Sequence, residues 1–360
     1  MKRRPRTGFA DCQDALLRGA SIICAAVLAL TTVFLPVTAP AQTPATTSPA
    51  TSPLTSPPSF AAGATYREVV DETGRTVRVP QPVMRIVSLA PSLTETVYAL
   101  GLQERLVGDT DYCDYPPEAQ KKQKVGGAIN PSLEEIAHLK PDLVLVTRHL
   151  NTMDTVHSLD ALGIASYATD PTNVDEIIGS TKKLAEVLGA PAAGISVAQD
   201  LRHRLDVLQQ KIGSLPPRRV LFVVWTDPLI SIGKDTFIAD ALRRAGAESI
   251  VDAKQDWPQV NLEEVARLQP EILVFADSHS ESAPINMDVL VTRPAWRILN
   301  AVRDRKYAVI SDAVNRPAPR IVSAIEDLAQ KLHPEAFAEK SVASRVNDVG
   351  NTNTKCVCAL

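Results

Sequence analysis

The stretch LEEIAHLKPDLVLV at residues 133–146 returns without a gap as LEEVARLQPEILVF at residues 262–275. Each copy begins with helical periodicity, is broken by a proline, and ends in an apolar run of strand length. A looser match pairs LTETVYALG at 93–101 with IADALRRAG at 238–246. Two copies this far apart are too few for a repeat array, so they predict two similar lobes.

Short apolar runs alternate with helical patterns along both predicted lobes. The runs are at residues 85–89, 143–146, 164–168, 220–224, 272–275 and 307–310. Strands separated by helices of about 10–15 residues are typical of parallel α/β sheets. Ser92 and Glu95 have the spacing of a capping box, which predicts a helix that ends at Gly101.

A single long helix is predicted between the lobes. Residues 192–212 carry apolar residues at helical spacing, with Pro191 placed to open the helix and Gly213 to close it. About 20 helical residues span about 30 Å, the width of a small domain. The predicted fold is α/β, with two Rossmann-like lobes (66–190 and 214–337) whose parallel sheets are joined by one long helix over 191–213. A ligand is expected in the cleft between them.

The two ends of the chain differ from the predicted lobes. The first 41 residues combine a basic leader, an uncharged apolar run over 21–35 and the motif Ala39-Pro40-Ala41, which predicts a signal peptide cleaved near Ala41. A retained N-terminal anchor is the alternative, although the apolar run is shorter than the roughly 20 residues of a membrane span. The Pro-, Thr- and Ser-rich residues 42–65 predict a linker, and residues 338–360 a disordered tail.

Composition narrows the function classes. The chain has 360 residues, of which 22% are charged and 4% aromatic, as is typical of a soluble protein with two cores. Its formal net charge of −3 argues against nucleic acid as a partner. Only Cys113, Cys356 and Cys358 follow the predicted cleavage site, so no disulfide scaffold is expected.

Five sequence blocks carry a resemblance to a known family. They are RIVSLAPSLTET (85–96), VGDTDYCDYPPEAQ (107–120), LEEIAHLKPDLVLV (133–146), DWPQVNLEEV (256–265) and SDAVNRPAPRI (311–321). The sequence resembles the periplasmic substrate-binding proteins of ABC transporters whose lobes are joined by one long helix. It is most similar to the cobalamin (vitamin B12) branch. The resemblance implies a monomeric periplasmic protein that delivers a corrinoid to a permease dimer with its ATPase subunits. Ferric siderophores and haem are the alternative ligands.

The resemblance also implies a ligand site. The family's cleft tyrosine falls on Tyr112, its second-lobe tryptophan on Trp257, and its acid–base pair on Asp312 and Arg316. Ser92, in the first block, completes the predicted set. Aromatic faces suit the apolar ring of a corrin, and Asp and Arg reach its peripheral amides. The predicted site contains no catalytic residue, no metal ligand and no resident cofactor.

Three positions depart from the cobalamin branch. Two first-lobe positions where that branch carries tryptophan are Ala128 and Thr147 here. A second-lobe phenylalanine position is Val224, and the adjacent Trp225 is predicted to substitute for it. These departures imply a pocket that is wider or differently shaped than in the family.

Glu134 and Glu263 occupy matching places in the repeated segment. Acidic residues in a first helical turn complement the helix dipole, which is one interpretation of both. The resemblance implies another, in which one exposed glutamate per lobe pairs with arginines of the permease. The neighbouring Glu135 and Glu264 are predicted to be capping-box partners of Ser132 and Asn261.

An enzyme on a related two-lobed fold is the other function class, either a chelatase or a corrinoid-remodelling hydrolase. The sequence contains no phosphate loop, no G-x-S-x-G and no H-E-x-x-H, which favours capture over chemistry. His149 and His279 each follow a predicted strand. They are either solvated loop residues or ligands to a metal or a haem at the edge of the cleft. Cys113 is placed to touch the ligand because it adjoins Tyr112.

Overall fold

The computed structural model describes residues 65–277 and 287–338. Its strands are β1 (Thr65–Val70), β2 (Thr76–Gln81), β3 (Ile86–Ser88), β4 (Leu106–Asp109), β5 (Gln123–Lys124), β6 (Leu143–Thr147), β7 (Ser166–Thr169), β8 (Arg218–Phe222), β9 (Trp225–Thr226), β10 (Leu229–Ile230), β11 (Ala247–Ser249), β12 (Ile272–Ala276) and β13 (Tyr307–Ile310). Its α-helices are α1 (Pro91–Ala99), α2 (Leu133–His138), α3 (Met153–Ala161), α4 (Val174–Val187), α5 (Pro191–Ile212), α6 (Phe237–Arg244), α7 (Leu262–Leu268), α8 (Met287–Thr292), α9 (Asn300–Arg303), α10 (Ile321–Leu332) and α11 (Pro334–Phe337).

Some predicted segments lie outside the described residues. These are the signal peptide, the linker apart from Thr65, the tail apart from Ala338, and His279. Within the described residues, no helix combines the length and the apolar character that a bilayer crossing requires.

The first lobe is built on a five-stranded sheet with strand order β5-β4-β3-β6-β7, in which every pair is parallel. The central strands β3 and β6 are buried along their whole length, as expected when helices cover both faces of a parallel sheet. Leu145 faces the core beside α1 and α4, and Val144 and Val146 face the core beside α2 and α3.

The second lobe repeats this layering on a four-stranded parallel sheet with strand order β11-β8-β12-β13. Phe222 and Val274 pack on one face with α5, α6 and α10. Leu273 and Phe275 pack on the other face with α7, α8 and α9. The hairpins β1-β2 and β9-β10 are antiparallel.

The long helix α5 joins the two lobes, with Gly213 as its C-cap. Leu201, Leu205 and Leu208 belong to the second-lobe core. At its start α5 lies so close to α4 that a Cβ atom on Gly194 would overlap the side chain of Ala185. The predicted fold class, two parallel α/β lobes joined by one long helix, is confirmed.

The repeated segment adopts the same backbone in both lobes. After α2 and α7, Lys140 and Gln269 take the left-handed conformation with φ of 46° and 45°, each directly before a proline. Ser132 Oγ accepts a hydrogen bond from the Glu135 backbone N–H as predicted. Asn261 Oδ1 accepts from Glu263 instead of Glu264, so the predicted cap partner in the second copy is wrong by one residue.

The predicted capping box at Ser92 and Glu95 is also wrong. Helix α1 begins at Pro91, its N-cap is Ala90, and no side chain caps it. Because Pro91 has no backbone N–H, one of the unpaired donors at the start of a helix is missing. Ser92 and Glu95 therefore lie inside the helix, where both are buried. The helix ends before Gly101, which has φ of 71°.

Candidate ligand-binding cleft

Two adjoining cavities lie between the lobes, where strands of both sheets end. The larger encloses about 480 Å³ and the smaller about 200 Å³. Ser92, Leu150, Asn315 and Pro317 line both cavities and join them into one cleft. Open parallel sheets bind ligands outside the carboxyl ends of their strands, so this cleft is the candidate site.

Another cavity, of about 600 Å³, lies against the second lobe alone. It is lined by Arg218, Ile272 and Tyr307, the first residues of β8, β12 and β13. Although it is larger than either half of the cleft, it lies at the amino ends of the strands. We assign the ligand to the cleft because the cleft lies at the carboxyl ends of the strands, where open parallel sheets bind ligands.

The loop after β4 presents Tyr112 to the larger cavity. The ammonium group of Lys124 holds this loop. Its nitrogen lies 2.8 Å from Asp109 Oδ1 and 3.1–3.3 Å from the carbonyl oxygens of Thr110, Cys113 and Ala119, which share its three N–H donors. Burial raises the pKa of Asp109 to about 6, although the hydrogen bond from Lys124 opposes the shift. Tyr112 itself remains 66% exposed and free to cover a ligand.

Cys113 does not reach the cleft, contrary to the expectation from its position beside Tyr112. Its side chain is buried, and its Sγ atom lies 3.2 Å from the hydroxyl oxygens of Thr94 and Thr110. Burial raises the pKa of this thiol, so Cys113 is a packing residue in its uncharged form.

The second-lobe loop presents Trp257 to the smaller cavity. Backbone hydrogen bonds hold it: the N–H groups of Ser231 and Gly233 donate to the carbonyl oxygens of Pro258 and Asp256 at 3.1 and 3.0 Å. A Cβ atom on Gly233 would overlap the carbonyl oxygen of Gln255. The loop is thus held by main-chain contacts that only glycine permits at this position.

Asp312 and Arg316 belong to a charged cluster that bridges the lobes. Arg316 contacts Asp312 at 3.1 Å within the second lobe, and it reaches Glu95 at 2.8 Å and Asp114 at 2.7 Å in the first lobe. Arg320 contacts Glu95 at 2.8 Å and Asp312 at 3.1 Å. Asp312 and Arg316 are therefore part of a largely buried network between the lobes.

Both arginines of this cluster are held in their charged form. Burial by itself lowers the pKa of each guanidinium, but the hydrogen bonds to Glu95, and to Asp114 or Asp312, outweigh it and raise the pKa of Arg316 and Arg320. The Arg320 guanidinium also stacks on Tyr115, 3.9 Å from the ring centroid. Arg316 therefore meets the cleft with its charge already balanced by three carboxylates.

Five residues that shape the cleft were not predicted as site residues: Glu95, Asp114, Tyr115, Arg320 and Asn151. The opposite charges of Asp312, Arg316 and Arg320, each four residues apart, were a usable signal for ion pairing. Asn151 had no comparable signal. Its buried amide donates to the carbonyl oxygens of Leu89 and Ala128, and its Oδ1 accepts from the Thr147 N–H, so it joins three cleft loops.

The remaining predicted residues lie in different places. Trp225 is exposed on β9, outside the residues that line the two cavities, and its Nε1–H donates to the Asp227 carbonyl oxygen at 2.8 Å. Glu134 and Glu263 are exposed in the first turns of α2 and α7, away from the cleft lining. Ala128 and Thr147 are buried.

Comparison with known proteins agrees with this architecture. A family model described as periplasmic binding protein matches residues 86–313. A vitamin B12-binding protein of Yersinia pestis is 31% identical over 253 residues, which cover 70% of this chain and 87% of that protein. The chain belongs to the periplasmic binding protein family.

Two solved structures resemble this periplasmic binding protein. The vitamin B12-binding protein BtuF of Vibrio cholerae matches with a TM-score of 0.61 and 29% identity, over 72% of this chain and 99% of that chain. The haem-binding protein RhuT of Roseiflexus sp. RS-1, in its apo form, matches with a TM-score of 0.63 and 26% identity, over 71% and 99%. Proteins of this family are the substrate-binding components of ABC importers and work with a permease and an ATPase.

Proposed function

We propose that this protein captures a corrinoid in the cleft and, from the periplasmic side of the membrane, delivers it to an ABC permease. Charge in the cleft supports this choice. The larger cavity is lined by four carboxylates, Asp111, Asp114, Asp277 and Asp312, and by Arg316 as the basic residue among its described lining. Because Arg316 contacts three carboxylates, the lining favours a neutral or cationic ring that carries hydrogen-bonding amides.

Haem and ferric siderophores are the alternative ligands, and the likeness to RhuT makes haem the stronger of the two. Haem carries carboxylates, and many ferric siderophores are anionic. The acidic lining repels both. Aromatic side chains on each lobe, Tyr112 and Trp257, add apolar cover for a large flat ring.

Isothermal titration with cyanocobalamin, cobinamide, haemin and a ferric catecholate siderophore tests the ligand class. We expect stoichiometric binding of both corrinoids, weaker binding of the anionic compounds, and recovery of each corrinoid unchanged after incubation. Tighter binding of haemin or the siderophore would overturn the assignment. A modified corrinoid product would support the enzyme alternative.

We further propose Glu134 and Glu263 as the carboxylates that meet the permease, one from each lobe. Both are exposed, and neither lines the cleft. The double variant Glu134→Ala/Glu263→Ala should keep its corrinoid affinity but dock weakly to the permease in nanodiscs. Its docking should lose most of its salt sensitivity, because exposed ion pairs are screened within about 8 Å at physiological ionic strength.

The chain provides a matched control for this experiment. Glu135 and Glu264 lie in the same first turns and are also exposed. The variant Glu135→Ala/Glu264→Ala removes the same helix-dipole interaction without removing the proposed docking residues. Equal docking of the two double variants would leave only the dipole interpretation.

Export and cleavage near Ala41 belong to the same proposal. The basic leader, the apolar run over 21–35 and the Ala39-Pro40-Ala41 motif support it. Intact-mass measurement of the protein from the periplasmic fraction should give a chain that begins at Gln42. A full-length chain in the membrane fraction would support the retained anchor.

A further inference from the structure

His149 brings an imidazole into the smaller half of the cleft. It lies two residues beyond β6 and lines this cavity with Pro171, Phe237 and Trp257. The His149 side chain is 48% exposed, so the ring is accessible from the cavity. Trp257 belongs to the second lobe and His149 to the first. A flat ring in this cavity therefore meets an indole from one lobe and an imidazole from the other.

The carboxylate of Asp170 lies beside the His149 ring. The Nε2 atom of His149 lies 3.0 Å from Asp170 Oδ1, and the other carboxylate oxygen of Asp170 accepts a hydrogen bond from Arg148 at 2.7 Å. Asp170 Oδ1 is buried and has no hydrogen-bond partner, so it is available to accept from the Nε2–H of His149. A carboxylate that takes the proton-bearing nitrogen of a histidine is the common arrangement behind metal-ligating imidazoles.

The space beside His149 is open because of small side chains. Thr147 lines the same cavity, and Ala128 lies at the neighbouring loop that Asn151 joins to β6. Threonine and alanine side chains are short, which leaves a large ring room to approach the imidazole.

We propose that His149 is an axial ligand, through Nδ1, to the metal of a bound tetrapyrrole, and that Asp170 orients its ring. This inference rests on the proposed corrinoid function. The acidic lining of the adjoining cavity makes the preferred ligand a cationic corrinoid without its own lower base, such as cobinamide. His149 thereby selects corrinoids whose axial position is open.

The metal of a tetrapyrrole needs only one axial ligand from the protein. A metal ion held by protein alone needs several side chains, and the described residues contain no cluster of three or more His, Cys, Asp or Glu suited to one. A tetrapyrrole already supplies four ring nitrogens. The Nδ1 lone pair forms a bond to cobalt and an axial water leaves, with no change of oxidation state. The Nε2–H then faces the unsatisfied oxygen of Asp170.

Electron paramagnetic resonance of Co(II) cobinamide bound to the full protein tests the ligand directly. An axial nitrogen splits the cobalt lines, and an axial water does not. We expect the splitting in the parent protein and in Asp170→Asn, and its loss in His149→Gln. His149→Gln should weaken diaquocobinamide binding by at least about 10-fold. His157→Gln, an exposed histidine on α3, is the matched control and should change neither quantity.

Cyanocobalamin separates this inference from the proposed function, because both its axial positions are already filled. We expect His149→Gln to bind cyanocobalamin as tightly as the parent protein does. If no corrinoid binds the parent protein, the proposed function fails. If corrinoids bind but the nitrogen splitting is absent or persists in His149→Gln, the axial-ligand inference alone is overturned. A nitrogen-ligated haemin complex that forms in preference to cobinamide would overturn the choice of corrinoid.

Discussion

The loops that present Tyr112 and Trp257 are held by different forces. A partly buried charge holds the first-lobe loop, since four oxygens lie within hydrogen-bond distance of the Lys124 ammonium group. Main-chain contacts hold the second-lobe loop, where Gly233 approaches the backbone of Gln255. The first loop is therefore sensitive to pH and to loss of charge, and the second to any added side-chain atom. Two different kinds of contact therefore hold the loops that carry these aromatic side chains.

Removal of the charge should produce the largest effect. Lys124→Met leaves the Asp109 carboxylate buried without its partner, which typically destabilises by about 3–5 kcal/mol. Lys124 is 30% exposed, so we expect about 3 kcal/mol at pH 7, with less near pH 5 where Asp109 takes a proton. Urea unfolding at both pH values measures this. Lys121→Met, at an exposed position in the same segment, is the control, and an equal loss there would contradict the role of Lys124.

Added bulk should affect the other loop. Gly233→Ala places a methyl group against the Gln255 carbonyl oxygen, and overpacking of this kind typically destabilises by about 1–3 kcal/mol. Displacement of the loop should also weaken corrinoid binding through Trp257. Gly179→Ala is the control, because no atom lies within 4 Å of its Cβ position inside α4, and it should stabilise slightly. Unchanged stability and affinity in Gly233→Ala would show that the loop adapts.

Truncation of Trp257 and of Trp225 distinguishes a side chain that lines the cleft from one that lies outside it. We expect Trp257→Ala to weaken corrinoid binding by about 2 kcal/mol, as for a central contact residue. Trp225→Ala should have a smaller effect, because Trp225 lies outside the residues that line the two cavities. Isothermal titration of both variants measures the difference. Equal losses would place Trp225 in contact with the ligand as well, and an unchanged Trp257→Ala would remove Trp257 from the site.

Titration of Asp109 should give a pH dependence of stability that arises in the first lobe. Its pKa of about 6 in the folded protein exceeds the ordinary value of 3.8, so the folded state binds more protons between these values. This contribution to stability is present below about pH 4 and is lost as the pH rises through 6. Relative to Asp109→Asn, the parent protein should therefore lose unfolding free energy between pH 4 and 6. A constant difference across urea unfolding curves in that range would show that Asp109 keeps its ordinary pKa.

Much of the architecture was readable from short stretches of sequence. The connecting helix was predicted at 191–213 and is observed at 191–212, because Pro191, Gly213 and the spacing of its leucines act within a few turns. The repeated segment predicted two lobes, and its two copies share even the left-handed residue before the proline. Such features depend on local backbone preferences and on periodicity, which neighbouring residues determine by themselves.

The cleft depended on contacts that no local pattern encodes. Glu95 was predicted as a cap partner, yet it is buried against Arg316 and Arg320, which lie 221 and 225 residues away along the chain. Tertiary packing likewise moved Cys113 away from the cleft and placed Trp225 outside its lining. Sequence alone determined most of the elements and their division into two lobes, since these follow from propensity, hydrophobic pattern and the internal repeat. Only the tertiary structure decided which charges meet, because a buried charge selects its partner by geometry and exclusion of water.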